Sequence, residues 1–510
     1  MAGIQTRIKE RISLAESSAA VREDKIAGIT TTLDTLPFGT DEDVELDKHK
    51  TRKERRQLPE TVESKALYRD VLRIAWPSLA ELFLTSFVSM ADTMMVSGCG
   101  TGAVTAVSLT MQPRMLIMTA VMALNTGATA TIARARGAHD QTKANSILRQ
   151  ALMIATFISV LGMIFGTTFS RNLITFMSNG GSSAEVVDLG TKYMRIQMIT
   201  LPVAVWSVCI TAALRGTGNS KPCMFYNVIA NVVNVIFNWI LINGKLGAPA
   251  MGVVGASIAT AIGQTVATII AFGCIISGKF YLRLNLKNAF KFDKDVVLNI
   301  VKVGAPAMVE QLFMRLGYIL FGRTVFSLGE ASSDAHNICI NIQNLSINIG
   351  QGFAVSATSL VGQSLGRKRL DMAEHYGLRC RRISMYCSIV IGILLLLFAR
   401  GILTTFYRVD EDVLELATKV MIFVAIMQPF QSTQFVVGGI LRGAGDTRVQ
   451  ALIVLFTVVI VRLSLVYLTV NVLHLGLFGA WIAVIADQIL RALGIYGRYL
   501  QGKWKTIKLK

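Results

Sequence analysis

From residue 74 onward the chain alternates long apolar stretches with short polar connections. The apolar stretches fall near 74–98, 109–133, 149–170, 193–214, 222–243 and 254–277, and then near 303–327, 337–361, 383–403, 417–440, 449–471 and 478–497. At a rise of about 1.5 Å per residue, each can cross roughly 30 Å of hydrocarbon as a helix. Only helices and closed barrels satisfy their backbone groups in lipid, and these runs are too long and too uniformly apolar for barrel strands. The pattern predicts an all-α integral membrane protein of 12 transmembrane helices.

The pattern also repeats. Between residues 75 and 144 a constant shift of 229 overlays Pro77 on Pro306, Glu81 on Glu310, Gly100 on Gly329 and Gly137 on Gly366. A shift of 227 then overlays Pro202 on Pro429 and Leu214-Arg-Gly-Thr-Gly218 on Leu441-Arg-Gly-Ala-Gly445, and a shift of 224 overlays Gly255-Ala256 and Gln264 on Gly479-Ala480 and Gln488. Six spans separate matched elements, so both copies cross in the same direction. The repeat predicts two pseudo-symmetric six-helix bundles related by an axis along the membrane normal, the arrangement that alternating access requires.

Charge adds orientation. The first 73 residues hold 14 Lys/Arg and 14 Asp/Glu, so the formal +19 belongs to the remainder, where 37 Lys/Arg face 18 Asp/Glu. Segments 134–149, 215–221, 279–302, 367–382, 442–448 and 491–510 carry 26 Lys/Arg, against seven on the other side. This bias places both termini in the cytoplasm of a multi-pass plasma-membrane protein, and it reads as topology rather than as a nucleic-acid footprint. The expected organisation is a disordered cytoplasmic tail (1–70), an N-terminal bundle (71–278), a cytoplasmic linker (279–302), a C-terminal bundle (303–498) and a basic C-terminal tail (499–510). The basic run Lys50, Arg52, Lys53, Arg55 and Arg56 either touches anionic lipid or helps orient the first helix. The seven cysteines have neither metal nor disulfide spacing and read as small hydrophobes.

Several of these residues carry a family resemblance. Pro77 followed by Asp92-Thr93, the paired Leu-Arg-Gly-x-Gly turns, and Asn234 through Asn238-Trp239 with Gly244-Lys-Leu-Gly-Ala-Pro249 resemble the NorM branch of the multidrug and toxic compound extrusion (MATE) family. The resemblance implies two six-helix bundles around a central cavity, and export of amphipathic, often cationic, organic compounds against Na⁺ or H⁺. It implies no cofactor beyond that ion, contact with membrane lipids, no nucleic-acid partner, and action as a monomer. Departures leave both ions open: Asn238 replaces a second acid in helix five, Gln431 an acid in helix ten, and Met314 an acid in helix seven, with Glu310 one turn away.

Carboxylates inside a bilayer are expensive, which makes Glu81, Asp92, Glu310 and Asp487 functional candidates. Asp92 lies at the same depth as Asn234 and Asn238, and Asn227, Asn231, Asn234 and Asn238 form a single stripe at helical spacing. With Thr260 and Gln264 at similar depth, these residues either build a cation-coupling site, with Na⁺ at Asp92, Asn234 and Asn238 or a proton on Asp92, or hydrogen-bond helices together. Asp92, Asn231, Asn234 and Asn238 overlay on Phe321, Val458, Val461 and Leu465, so the second half lacks all four and coupling is expected in the N-terminal bundle. Glu81 and Glu310 read as a gate or inner proton site, or as partners of basic loop residues. Asn337, Asn341, Asn344 and Asn348, with Gln343, Gln431, Gln434 and Met314, are candidates for the substrate cavity. Arg462 and Asp487 read as a mutually neutralising pair, and Arg215 and Arg442 as caps on helix C-termini.

The expected function is secondary active efflux, with a flippase for lipids or lipid-linked saccharides as the alternative. No Walker motif and no intramembrane protease or hydrolase motif is present, so an enzyme is not expected.

Overall fold

The computed structural model describes residues 31–49, 57–60, 62–178, 183–284, 292–406 and 410–507. The basic run at 50–56 lies outside them. The spanning helices are α1 (Ser64–Ser97), α2 (Thr101–Gly137), α3 (Gln141–Thr168), α4 (Ala184–Ile199 and Leu201–Gly216), α5 (Ser220–Asn243) and α6 (Gly252–Ile276), followed by α7 (Lys294–Phe326), α8 (Glu330–Gly366), α9 (Leu370–Phe406), α10 (Glu411–Gly443), α11 (Thr447–Val472) and α12 (Gly476–Leu500). Ten of these are long and apolar enough to span by composition, and the two pieces of α4, bent by 51°, make an eleventh. The twelfth, α8, has the length but not the hydropathy, because its asparagine stripe dilutes the apolar residues.

The bend in α4 falls where Pro202 opens the second piece at a position whose missing N–H costs little. Its repeat partner Pro429 sits inside an unbroken α10. A second asymmetry lies in α11, where Phe456–Arg462 and Tyr467–Val472 are π-helical while α5, its counterpart, is regular α-helix.

The two bundles interlock at the face where α1 begins and α12 ends. Here Leu67, Val71 and Ile74 of α1 join a buried cluster with Phe353, Leu360 and Tyr376 of the second half, while Val296 and Ile300 of α7 join Val121, Leu124 and Ala128 of the first. Each half thus lends the start of its first helix to the other's core. At the opposite end the buried clusters are separate, one around Val96 and Ile242 and one around Phe321 and Trp481. Gly137 and Gly366, equivalent in the repeat, sit where α2 and α8 cross; a Cβ on either would strike the other helix's backbone carbonyl at Gln363 or Arg134. Ser359 and Gln363 also donate to the Gly216 carbonyl across this seam, at 3.1 and 3.2 Å. The bundles also meet through Asn348 Nδ2 to Ser86 Oγ (2.9 Å) and Arg315 Nη2 to Met115 Sδ (3.5 Å).

The tail to residue 70 was expected to be disordered, and part of it is not. Helix α1 already starts at Ser64, and Thr31–Phe38 dock across the seam through a short 3-10 turn, burying Leu33 and Leu36. Asp34 receives Arg367 Nη2 at 2.7 Å and lies 3.9 Å from Arg136 Nη2, so one carboxylate bridges residues at the ends of α2 and α8. Phe38 lies edge-on to His139 and under the Arg367 guanidinium, and the Thr32 N–H donates to Asp70 at 2.7 Å. Two buried leucines contribute on the order of 4 kcal/mol of apolar burial, enough to offset part of the ordering cost of so short a segment.

Candidate functional site

Helices α1 and α5 run side by side in the same direction, and a polar ladder joins them. Asn227 Nδ2 donates to Glu81 Oε1 at 2.7 Å, Asn231 Nδ2 to Thr85 Oγ1 at 3.4 Å, and Asn238 Nδ2 to Asp92 Oδ1 at 2.5 Å, each across 146 residues. The constant separation follows from two parallel helices in register. The lowest rung ends on the Glu81 carboxylate, the middle one on a hydroxyl, and the upper one on the Asp92 carboxylate.

At that rung Asp92 is half-buried, whereas Asn234 and Asn238 are buried. With its nitrogen turned to the carboxylate, Asn234 donates to Asp92 Oδ1 and Oδ2 at 3.1 and 3.2 Å, and its oxygen accepts from the Thr260 N–H at 3.2 Å; the opposite orientation would set a carbonyl oxygen against a carboxylate. Two amide nitrogens therefore face Asp92, and Asn238 Oδ1 is left with no protein partner. Thr260 from α6 closes the site beside Asn234, with Tyr193 of α4 in the field of Arg114 and Asp92. Asn231 pairs one turn away with Thr85, and Gln264 buries its Oε1 without a donor. Sequence reading missed Tyr193 and Arg114; the available signal was Arg114 itself, the one cation of the apolar stretch 109–133, whose repeat partner is Gln343.

Among the described residues no group of three or more His, Cys, Asp or Glu side chains is arranged to hold a metal ion. A cation at this rung would be held by one carboxylate and neutral oxygens.

Glu81 pairs with a basic residue at the end of α4. Its Oε2 takes Arg215 Nη2 at 2.7 Å, so Arg215 is a buried ion-pair partner as well as a residue of a helix C-terminus. Glu310 instead accepts from Gln450 Nε2 at 3.0 Å within the field of Arg442 and Arg491.

The substrate-cavity candidates divide. Asn337, Asn341 and Asn344 are exposed, and Asn348 reaches Ser86. Gln431 and Gln434 are instead buried within the C-terminal bundle, and the partly exposed Met314 receives Arg491 Nη1 on its Sδ at 2.9 Å. The Arg462–Asp487 pair forms as read, with Nη2 to Oδ2 at 2.5 Å, and Arg491 joins the same oxygen.

Comparison with known proteins places this geometry. The MatE family model matches residues 77–240 and 306–468, one copy in each half. The chain is 27% identical to the "Probable multidrug resistance protein NorM" of Thermotoga maritima over 86% of its own length and 93% of that protein's, and 25% identical to the "Uncharacterized transporter YisQ" of Bacillus subtilis over 84% and 94%. Its fold is similar to a solved outward-facing multidrug resistance MATE family transporter, with a TM-score of 0.80 at 21% identity, covering 88% of this chain and 100% of that one.

Proposed function

Because the chain belongs to the MATE family, we propose that its multidrug efflux is driven by cation exchange at Asp92, Asn234 and Asn238. The protein is a multi-pass membrane transporter of small organic substrates, and the family is one of ion-coupled antiporters. The observation that carries the reading is a carboxylate inside the N-terminal bundle facing two amide nitrogens, with the oxygen of one amide unpartnered.

Two N–H donors stabilise the ionised carboxylate without a cation. An arriving Na⁺ reverses the preference: the Asn238 amide turns its free Oδ1 inward, and Asn234 and Thr260 supply further neutral oxygens. An arriving proton makes Asp92 a donor, which an amide oxygen satisfies in the same way. Either event changes the α1–α5 contact, and α1 also carries Ser86 to the second half and Leu67, Val71 and Ile74 into its core. Ion occupancy thereby biases the packing of the interlocked face, which is what coupling requires.

In this reading both termini are cytoplasmic in the plasma membrane, so the interlocked face is closed to the cytoplasm and the exposed asparagines of α8 line a cleft facing outward. One copy of the chain contains the whole site. Fluorescent-cation efflux in reconstituted vesicles tests the proposal: export that follows an imposed Na⁺ or pH gradient supports it, and export indifferent to both contradicts it.

A further inference from the structure

The geometry points to a binding site for one halide-sized anion, chloride in the cell, in a cavity of the C-terminal bundle between α7, α8, α11 and α12. Its cationic wall is Arg462, whose guanidinium lies 5.4 Å from the Tyr318 ring centroid and 6.0 Å from that of Phe321. The cavity measures about 20 Å³, room for a single small occupant.

Charge balance is the first argument. Arg462 and Arg491 share one acid, Asp487, and all three side chains are at most 1% exposed. Those three side chains by themselves sum to one positive charge, and Glu310, hydrogen-bonded by Gln450 at 3.0 Å, is shared between the fields of Arg442 and Arg491. An uncompensated charge at that depth is costly, and a monovalent anion removes the cost.

The lining is the second. Among the described residues, none of those that form the cavity is acidic, and Asp487 stands behind Arg462 rather than in the wall. The indole N–H of Trp481 faces no protein acceptor and His336 Nδ1 has no protein partner, yet these side chains are 1% and 3% exposed. The Gln343 and Gln488 amides complete the polar lining; Gln488 Oε1 is also buried without a protein partner, and turning that amide over would present its N–H groups instead. A guanidinium, an indole N–H, an imidazole nitrogen able to carry a proton, and amide N–H groups form a donor set, which is the chemistry of an anion. Phe321 and Trp481 flank His336 with ring centroids 5.3 and 5.7 Å away, which fixes the imidazole in the wall.

The repeat and the backbone give the third. Phe321 occupies the position of Asp92 and Gln488 that of Gln264, so the cavity is the second half's counterpart of the carboxylate site, with opposite polarity. Arg462 also closes the π-helical segment Phe456–Arg462, a departure that α5 does not share and that recurs at functional sites. The inference stands whether or not Asp92 couples transport.

The test uses the full chain purified in detergent, melted at matched ionic strength in sodium chloride, sodium bromide and sodium gluconate. Chloride and bromide are expected to raise the melting temperature saturably over gluconate. Trp481→Phe, which keeps the ring and removes the N–H, is expected to raise the half-saturating chloride concentration about tenfold, as loss of a hydrogen bond to a charged group does. Trp206→Phe, whose indole donates to Thr156 in the other bundle, is expected to leave it unchanged. Crystals grown in bromide provide a measurement independent of any variant, with an anomalous peak beside Arg462. Identical melting in chloride and gluconate, a Trp481→Phe response equal to wild type, or an anomalous map flat at the cavity overturns the proposal and leaves a water-filled void.

Discussion

Asn238 donates its amide nitrogen to the Asp92 carboxylate at 2.5 Å and is itself 1% exposed, so its unpartnered oxygen is buried beside the one acid of the upper rung. Converting that amide to a second acid is expected to strengthen cation binding, since two facing carboxylates attract a shared cation or hold a proton that neither would hold alone. Asn238→Asp is therefore expected to lower the half-saturating Na⁺ concentration roughly tenfold, or to shift the pH profile of efflux to higher pH. Transport assays across Na⁺ concentration and pH distinguish these outcomes from an unchanged dependence, which would detach Asn238 from the site.

The Glu81–Arg215 pair, with side chains 10% and 18% exposed, is expected to act in stability. Glu81→Gln should lower stability by about 3 kcal/mol, because it leaves a guanidinium desolvated without its acid. Glu81→Gln with Arg215→Gln should recover part of that, giving a coupling of about 1–2 kcal/mol in a double-mutant cycle. Thermal melts of purified protein read both, and strictly additive losses would show that the pair contributes no interaction of its own.

How much of this was legible in the sequence depended on whether period or tertiary contact carried the signal. The stripe Asn227, Asn231, Asn234, Asn238 and the depth of Asp92 are consequences of helical spacing, and the structure puts Asn234 and Asn238 on that acid. Arg462 and Asp487 were legible as opposite charges at equal depth, whereas Arg491 was assigned to a connection because its charge marked a helix end. Gln431 and Gln434 looked like cavity residues because an amide in an apolar run has no one-dimensional sign of which face it occupies. The docking of Thr31–Phe38 was hidden too: two leucines in a polar segment have no periodicity, and their burial depends on a surface assembled from residues more than 300 positions away. The crossing of α1 and α7 into opposite cores was invisible for the same reason.

That docked segment is expected to be pH-sensitive. His139, just beyond the end of α2, is half-buried beside Arg367 and Arg136, and desolvation first, then these cations, push its pKa down to about 4. Its folded pKa lies below its ordinary value of 6.5, so the docked form is fully favoured above about pH 6.5 and loses stability as pH falls toward 4. Hydrogen exchange, corrected for its intrinsic pH dependence, should show less protection of residues 31–41 at pH 5 than at pH 7.5. His139→Asn, which tolerates the left-handed backbone found there (φ 57°) and does not titrate, should flatten that difference. A variant with undiminished pH dependence would assign the effect to another group.

Asp34→Asn should loosen the same segment, because it removes the charge that Arg367 holds at 2.7 Å. An increase in exchange at residues 31–41 of about tenfold at neutral pH is expected, with the spanning helices unchanged; equal exchange in variant and wild type would mean that Leu33 and Leu36 suffice to dock it.

The most direct measurement concerns Asp92 itself. It is the one group among Asp92, Asn234 and Asn238 that can change charge, and Asparagine in its place keeps the shape while removing the dependence on ion occupancy. The proper control is Phe321→Leu at the repeat-equivalent position, since Phe321 is buried and a polar replacement there would test packing instead. Gradient-driven substrate efflux is measured in reconstituted vesicles at matched protein levels for wild type, Asp92→Asn and Phe321→Leu. Asp92→Asn is expected to insert, to melt at or above the wild-type temperature because a buried charge has been removed, and to lose gradient-driven export, with Phe321→Leu retaining most of it. Wild-type coupling by Asp92→Asn would contradict the account and move the ion site elsewhere in the protein.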